Sequence, residues 1–559
     1  MLSGGCLLMV SRVARINTAA SVVAVVSVSA LLLAGRAGAQ GAPALDSLVR
    51  GDPSGDVIVQ RIYDEGMHHS RAASLAQVLM DSIGPRLTGS PANRVANDWL
   101  VRTYTAWGVP AHNEQYGTWR DWTRGPSEIQ LIAPRRRILE ATELPWSPST
   151  PAAGDDGDVI ALPPPAEVSD SAGYARWLTG VKGKFVMLSM PQPSCRPDTN
   201  WSQWASPKTA NAVRGVRDSV AGDWEKRIAV ALGSRPAAEL APRFAAAGAL
   251  GLLTNMWSEG WGVDKIMSGG PVGATTAIPI FDVSCEDYSL LARLVANGQH
   301  PRVHALADGH LAPRESPVFN TIARLDGSEH PDQYVMLSAH LDSWDAGSGA
   351  TDNGTGTIVM LEAMRLLKQA YPHPKRTILV GHWSGEEQGE IGSTSFTNDH
   401  PEVLAGLQAL FNQDNGTGNI DTVDTYGFLD APAAFARWMA RMPADMTAGI
   451  TIDEPGYAKK EDSDSDAFTC HNAPAFFLTS ADWGYTDYTW HTNRDTYDKI
   501  SFDEVKRNAT LIALLAYEAS EDPAQLSRAR RVPPADPSTG QPIPAFQCNR
   551  LRRSWSSAH

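Results

Sequence analysis

Apolar residues fall at helical spacing between residues 56 and 108. Val57, Ile62, Leu75, Val78, Leu79 and Ile83 form one set, and Ala96, Leu100 and Tyr104 a second. Gly84-Pro85 and Gly89-Ser90-Pro91 separate them, and because glycine and proline break regular structure, the spacing predicts a helix pair around a turn. Short β-rich runs follow at 128–133 and at Lys184–Met190, set between Pro-, Gly- and Asp-rich stretches such as Ser147–Asp158 and Pro163–Pro165. That change of texture marks a change of domain. From 240 to 298 the pattern predicts a helix (Ala241–Ala249), two strands (Leu250–Asn255, Ala277–Phe281) and a helix (Glu286–Ala296), a small α/β or β-rich module.

A regular rhythm then begins: strand Tyr334–Ala339, helix Gly356–Ala370, strand Arg376–Trp383, helix Ser393–Thr397, strand Ala409–Asn412. Parallel strands need crossover helices, so the expected fold is α/β, a mainly parallel mixed sheet with flanking helices. Ligands of such sheets bind beyond the carboxyl ends of the strands, which is where reactive residues are to be sought. From Arg528 on, the Pro-, Ser- and Arg-rich sequence reads as a tail for which Cys548 is the candidate tether.

Composition narrows the class. A chain of 559 residues exceeds one ordinary core, and 43% hydrophobic with 20% charged residues is globular rather than disordered. The first 39 residues carry Arg12, Arg15 and Arg36, no acid, and the apolar run Ala19–Ala34 before Ala37-Gly38-Ala39. This is the outline of a signal peptide cleaved before Gln40, with an uncleaved anchor as the alternative. No later run is long and apolar enough to span a bilayer, so the chain is expected to be exported, secreted or periplasmic, with no stable membrane anchor after cleavage. Losing those three arginines takes the formal charge from −14 to −17, which disfavours nucleic acid as a partner. Cys6 leaves with the signal. Cys195, Cys285, Cys470 and Cys548 then allow three disulfide pairings, among which the sequence does not choose, and no C-x-x-C pair points to a thiolate metal site.

The candidate chemistry lies after successive strands. His340-Leu341-Asp342 ends the first, placing Asp342 two residues on, where it can orient the imidazole. Asp352 follows in a small-residue loop entering a helix, Glu386-Glu387 follow the next strand between glycines, Asp414 follows the third, and His491 lies in a polar loop far downstream. Each motif alone reads more readily as a turn, a cap or a surface loop. Together, three successive strand ends carrying His/Asp, Glu/Glu and Asp point to a metal site. Imidazole plus carboxylate without thiolate is the ligand set of hydrolytic zinc sites that keep a position open for water. Four carboxylates and two histidines suit two metals sharing one bridging carboxylate.

The stretches His340–Asp345, Gly349–Gly356, Trp383–Gly389, Ser463–Phe468 and His491–Thr496, with Ile83–Pro91 near the start, resemble the M28 family of metallopeptidases, in particular its larger carboxypeptidase and dipeptidase members. The resemblance implies a zinc exopeptidase with two Zn2+ per chain. Asp352 would bridge the metals, His340 and Asp414 would complete one, and Glu387 and His491 the other. Glu386 would be the general base and Asp342 the partner of His340. It further implies a protease-associated insert at 137–310 roofing the cleft, between catalytic segments 40–136 and 311–527, with 528–559 as the tail. A peptide or dipeptide is the expected substrate, and the resemblance leaves room for a homodimer. The family pattern often has a histidine and a proline where this chain has Ser465 and Ala467, and a tyrosine in some relatives where it has Trp490. Tyr457, Tyr485 and Tyr488 all stay open as oxyanion donors. The competing readings are a single-zinc glutaminyl cyclase-like acyl transferase and a non-catalytic receptor-like relative. Five retained ligands plus Glu386 weigh against both.

Overall fold

Arg376–Trp383 and Leu407–Asn412 are buried at every position, and His330–His340 at its last seven, the burial of strands covered on both faces. In the computed structural model, which describes residues 55–454, 456–535, 540–541 and 547–556, these three strands lie side by side and parallel. Their registers pair Trp383 with His340 and Asn412 with Ser338, so their carboxyl ends reach one common edge. The expected signal peptide 1–39 and the mature start at Gln40 lie outside the described residues.

The sheet continues outward from this centre. On one side Leu407–Asn412 pairs in parallel with Ala475–Ser480, followed by Ile420–Asp424 and Thr451–Ile452. On the other, Arg376–Trp383 pairs antiparallel with Arg302–Leu325. Helices Val57–His68, Thr355–Ala370 and Phe502–Glu521 close one face over a core that includes Ile62, Leu337, Met360, Val380 and Leu514. Helices Ile391–Asp399 and Asp466–Thr469 help close the other, around Trp383, Phe396 and Phe468. The mixed α/β class with a mostly parallel central sheet is the one expected.

Arg302–Leu325 also pairs along most of its length with Ala111–Ala133, and this antiparallel ribbon, with four breaks of register, carries the chain out to residues 134–301 and back. The expected run at 128–133 is thus the end of a 23-residue strand. Polar and glycine positions such as Gly117, Arg120, Arg124 and Gly125 had interrupted its pattern, and they sit at or beside the breaks. At the far end Arg302–Leu325 pairs with Asp155–Ala161, followed by the parallel neighbours Lys184–Met187, Gly251–Thr254 and Ile280–Val283. One sheet therefore runs through both regions. The stretch 137–310 holds more helix than the β-rich expectation, chiefly because of Pro207–Leu232, a 26-residue helix that the apolar pattern did not show. Only Ala210, Trp224, Ile228 and Ala231 of it are buried, too few to impose a visible period. The cysteines pair as Cys195–Cys285 and Cys470–Cys548.

Candidate metal centre

Parallel pairing brings the ends of three strands together, and there the side chains singled out in the sequence meet. His340 is 1% exposed, and its Nδ1 lies 3.0 Å from the main-chain carbonyl of Asp342. A carbonyl only accepts, so the ring proton belongs on Nδ1. The other nitrogen, Nε2, lies 3.0 Å from Asp414 Oδ1, 3.4 Å from Asp352 Oδ1 and 3.8 Å from Glu386 Oε2. One ring nitrogen cannot donate to three carboxylates, and a neutral ring with its proton on Nδ1 turns a lone pair toward them. A cation among these atoms resolves the conflict. Across the site, His491 Nε2 lies 3.2 Å from Asp352 Oδ2 and 3.0 Å from Glu387 Oε2. Asp352 thus turns one oxygen to each histidine.

These separations fit metal ligands. Two donors about 2.0–2.1 Å from one ion at a tetrahedral angle stand roughly 3.3 Å apart. Asp352 Oδ2, Glu387 Oε1 and His491 Nδ1 are buried without a hydrogen-bond partner, and such groups need a partner of some kind. Among the described residues, His340/Glu386/Asp414 and Asp352/Glu387/His491 form two groups able to hold an ion. A third grouping, Cys470, His471 and Cys548, is spent on the disulfide.

The electrostatics agree. Burial pushes the Glu386 carboxyl well up, with His340 opposing and repulsion from Asp414, Glu387 and Asp464 adding to the rise. Burial likewise pushes Glu387 up to about 7, against the attraction of His491. Burial opposes the charge on His340, but the surrounding carboxylates of Asp414, Glu386, Asp342 and Asp352 hold its pKa well above the usual range, a measure of the negative charge gathered around it. The Asp342 carboxylate stands 3.6 Å from Nδ1 and accepts instead from Thr88 Oγ1, 2.7 Å away, and from the Glu386 amide, 3.3 Å away.

The model of peptidase family M28 matches residues 320–516, the span containing all seven candidate residues. Over that span the chain has the sequence of an M28 peptidase. It is a metallopeptidase hydrolase. Carboxypeptidase Q of Mus musculus is 26% identical over 353 residues, 63% of this chain and 66% of that protein, and carboxypeptidase Q of Homo sapiens is 26% identical over 66% and 69%. The chain thus spans about two thirds of the length of these relatives. Among solved structures, a peptidase M28 precursor from Shewanella amazonensis superposes with a TM-score of 0.63 at 23% identity, covering 85% of this chain and 98% of that one. A zinc aminopeptidase from Bacillus subtilis gives 0.53 at 17% identity, covering 82% and 96%. Both share the fold.

Beyond the seven candidates, this M28 site uses residues whose roles the sequence did not show. Arg86 is fully buried, and its guanidinium donates to the carbonyls of Leu341 (2.7 Å), Gly84 (3.0 Å), Ser348 (2.8 Å) and Gly349 (2.8 Å). It knots the Ile83–Pro91 segment to the loops around Asp342 and Asp352. Asp495 accepts from Thr351 N (2.7 Å), Thr351 Oγ1 (2.8 Å) and Asp352 N (3.0 Å), fixing the Asp352 loop. Ser463 Oγ donates to Asp414 Oδ2 at 2.6 Å. All three lie inside the quoted motifs, which was the available signal. Of the three open tyrosines, Tyr485 is the one set among the site carboxylates. Burial, then Asp352 and Asp414, keep its hydroxyl protonated.

Proposed function

We propose that this M28 metallopeptidase is an exported, two-zinc exopeptidase that hydrolyses the peptide bond next to a chain end, with Glu386 as general base. The carrying observation is His340, whose Nδ1 is engaged by a carbonyl while Nε2 faces three carboxylates. His340 and Asp414 would hold one ion and Glu387 and His491 the other, with Asp352 between them. Zinc supplies Lewis acidity, lowering the pKa of water at the site toward about 7. Glu386 lies within the His340 and Asp414 group, and with Asp352 as the third donor there its carboxylate would be left to take the proton of the attacking water and pass it to the leaving amine. Tyr485, with its proton retained, would be the donor that polarises the substrate carbonyl.

The loop 264–268 supports a roofing role for the stretch 137–310. Ile266 N donates to His491 O at 2.6 Å, and the Lys265 ammonium lies 3.7 Å from the centroid of the Trp490 ring. Two disulfides joining all four described cysteines favour an oxidising compartment. No helix among the described residues is long and apolar enough to cross a membrane.

Defined peptides blocked at the amino or the carboxyl end, with products identified by mass, test the reading and decide which terminus is read. Metal analysis of the same preparation should find close to two zinc ions per chain, and fewer in His340→Ala or His491→Ala. One tightly held zinc that excess metal does not double, or internal cleavage of doubly blocked peptides, refutes it.

A further inference from the structure

The segment 547–556 touches the pieces that carry the site, one after another. Cys548 is bonded to Cys470, directly after the helix Asp466–Thr469 that follows Ser463 and Asp464. Asn549 Nδ2 donates to the carbonyl of Gly389, in the loop that bears Glu386 and Glu387, at 3.4 Å. Arg553 forms a two-pronged pair with Asp399, at 2.9 and 2.6 Å, at the far end of the helix Ile391–Asp399 that this loop begins. The segment therefore holds the catalytic loop at one end of that helix and grips the other end as well.

It then joins the ribbon. Thr118 N donates to Arg553 O at 2.8 Å and Trp555 N to Thr118 O at 3.2 Å. Gly117 makes this approach feasible, since a Cβ there would stand 2.3 Å from the Arg553 carbonyl oxygen. Trp555, 6% exposed, inserts between Trp119 and Trp146 with ring centroids 5.3 and 5.6 Å away. Trp146 meets Trp344 at 6.0 Å, and Trp344 meets the His491 ring at 5.9 Å. A continuous file of aromatic rings runs from the tail to a proposed ligand.

We infer that residues 547–556 form a strap that sets the metal-site loops, with Trp555 as a positioning residue acting through Trp146 and Trp344 on His491, while Asn549 and Arg553 hold the Glu386–Glu387 loop. The inference rests on the proposed peptidase site. Its physical basis is that well-packed aromatic contacts transmit position, and that reacting groups tolerate displacements of well under an ångström.

The test uses the full zinc-loaded chain as wild type, Trp555→Ala, Trp555→Phe and the double variant Cys470→Ser/Cys548→Ser. Two readouts are taken, steady-state peptide hydrolysis and amide hydrogen exchange by peptide. Trp555→Ala is expected to lower kcat between about tenfold and a hundredfold. It should speed exchange at 384–391 and 344–349, with 334–340 and 407–412 unchanged, and Trp555→Phe should recover most of the loss. If Trp555→Ala is not recovered folded, the cysteine variant carries the same expectations. Wild-type kcat with unchanged loop exchange overturns the inference. So does exchange that rises across the core strands in step with the loops, which is the mark of plain destabilisation. A wild-type protein that cleaves no peptide would sink the proposed function, yet the exchange comparison would still decide the strap.

Discussion

Exchanging Glu386 for glutamine separates proton transfer from metal holding. The side chain keeps its size, and the local backbone should stay put, because the Glu386 amide donates to Asp342 Oδ1 and the Gly389 and Glu390 amides close a turn on its carbonyl. Burial and the repulsion of Asp414, Glu387 and Asp464 already disfavour its charge, so neutralising it relieves strain in the protein. The fold and the metal content should therefore survive. Glutamine cannot take the proton of the attacking water or return it to the leaving amine. Such acid–base catalysis is typically worth about 10²- to 10⁴-fold, or roughly 3 to 5 kcal/mol in the barrier. The assay is dipeptide hydrolysis at saturating substrate, with zinc measured on the same samples. Glu387→Gln should lose zinc as well as rate, because its Oε2 faces His491 Nε2 at 3.0 Å. If Glu386→Gln sheds zinc while Glu387→Gln keeps it and loses only rate, the two roles are exchanged. If both remain active, the site assignment is wrong.

Arg86→Met strips four carbonyls of their buried donor and removes a cation from beside Asp342, Asp352, Glu387 and Asp495. The expected loss is about 3–5 kcal/mol in urea unfolding, and less than about 1 kcal/mol would show that water replaces the guanidinium. Glu143 is fully buried, and neither carboxylate oxygen has a hydrogen-bond partner. Burial raises it to about 8, with Arg124 opposing and Asp345 and Asp308 adding to the rise. Its folded pKa exceeds its unfolded one, so the folded state holds the proton more tightly and stability falls as pH rises through that window. Glu143→Gln should remove a decline on the order of 3 kcal/mol between about pH 5 and pH 8, read from melts at both pH values; an unchanged slope refutes it.

The legible part of the molecule was the part with a strong period. Arg376–Trp383 and the helix Thr355–Ala370 are buried nearly throughout, and their apolar runs marked them to within a residue or so. The seven candidate residues could be found because each follows a recognisable strand or sits in a short motif, although only the fold brings Asp352 and Glu386 each within 4 Å of the His340 imidazole. What stayed hidden has no local signature. The ribbon Ala111–Ala133 is half exposed with breaks of register, so its alternation drifts. The role of Arg86 depends on carbonyls more than 250 residues away in sequence. The tail reads as Pro- and Arg-rich, and its residues 547–556 take their place from distant partners such as Trp119, Trp146, Asp399 and Cys470.

The site also explains why its surroundings are built as they are. Asp342, Asp352, Glu386, Glu387, Asp414, Asp464 and Asp495 are gathered at one sheet edge, where burial raises Glu386, Glu387, Asp464 and Asp495, a crowding of carboxylates that a cation would relieve. Arg86 meets part of that charge, but each described hydrogen bond of its guanidinium goes to a backbone carbonyl rather than a carboxylate, so it stabilises the loops without quenching the proposed ligands. That division needs very close backbone approach. Gly349 has φ +58°, and a Cβ there would stand 2.3 Å from Ser343 Cβ and 3.0 Å from the Arg86 guanidinium. A larger residue would push apart the turn that presents Asp352 and the arginine that holds it. Glycine at 349 is therefore required by this packing, and the three-point grip of Asp495 on Thr351 and Asp352 fixes the carboxylate proposed to lie between the two ions.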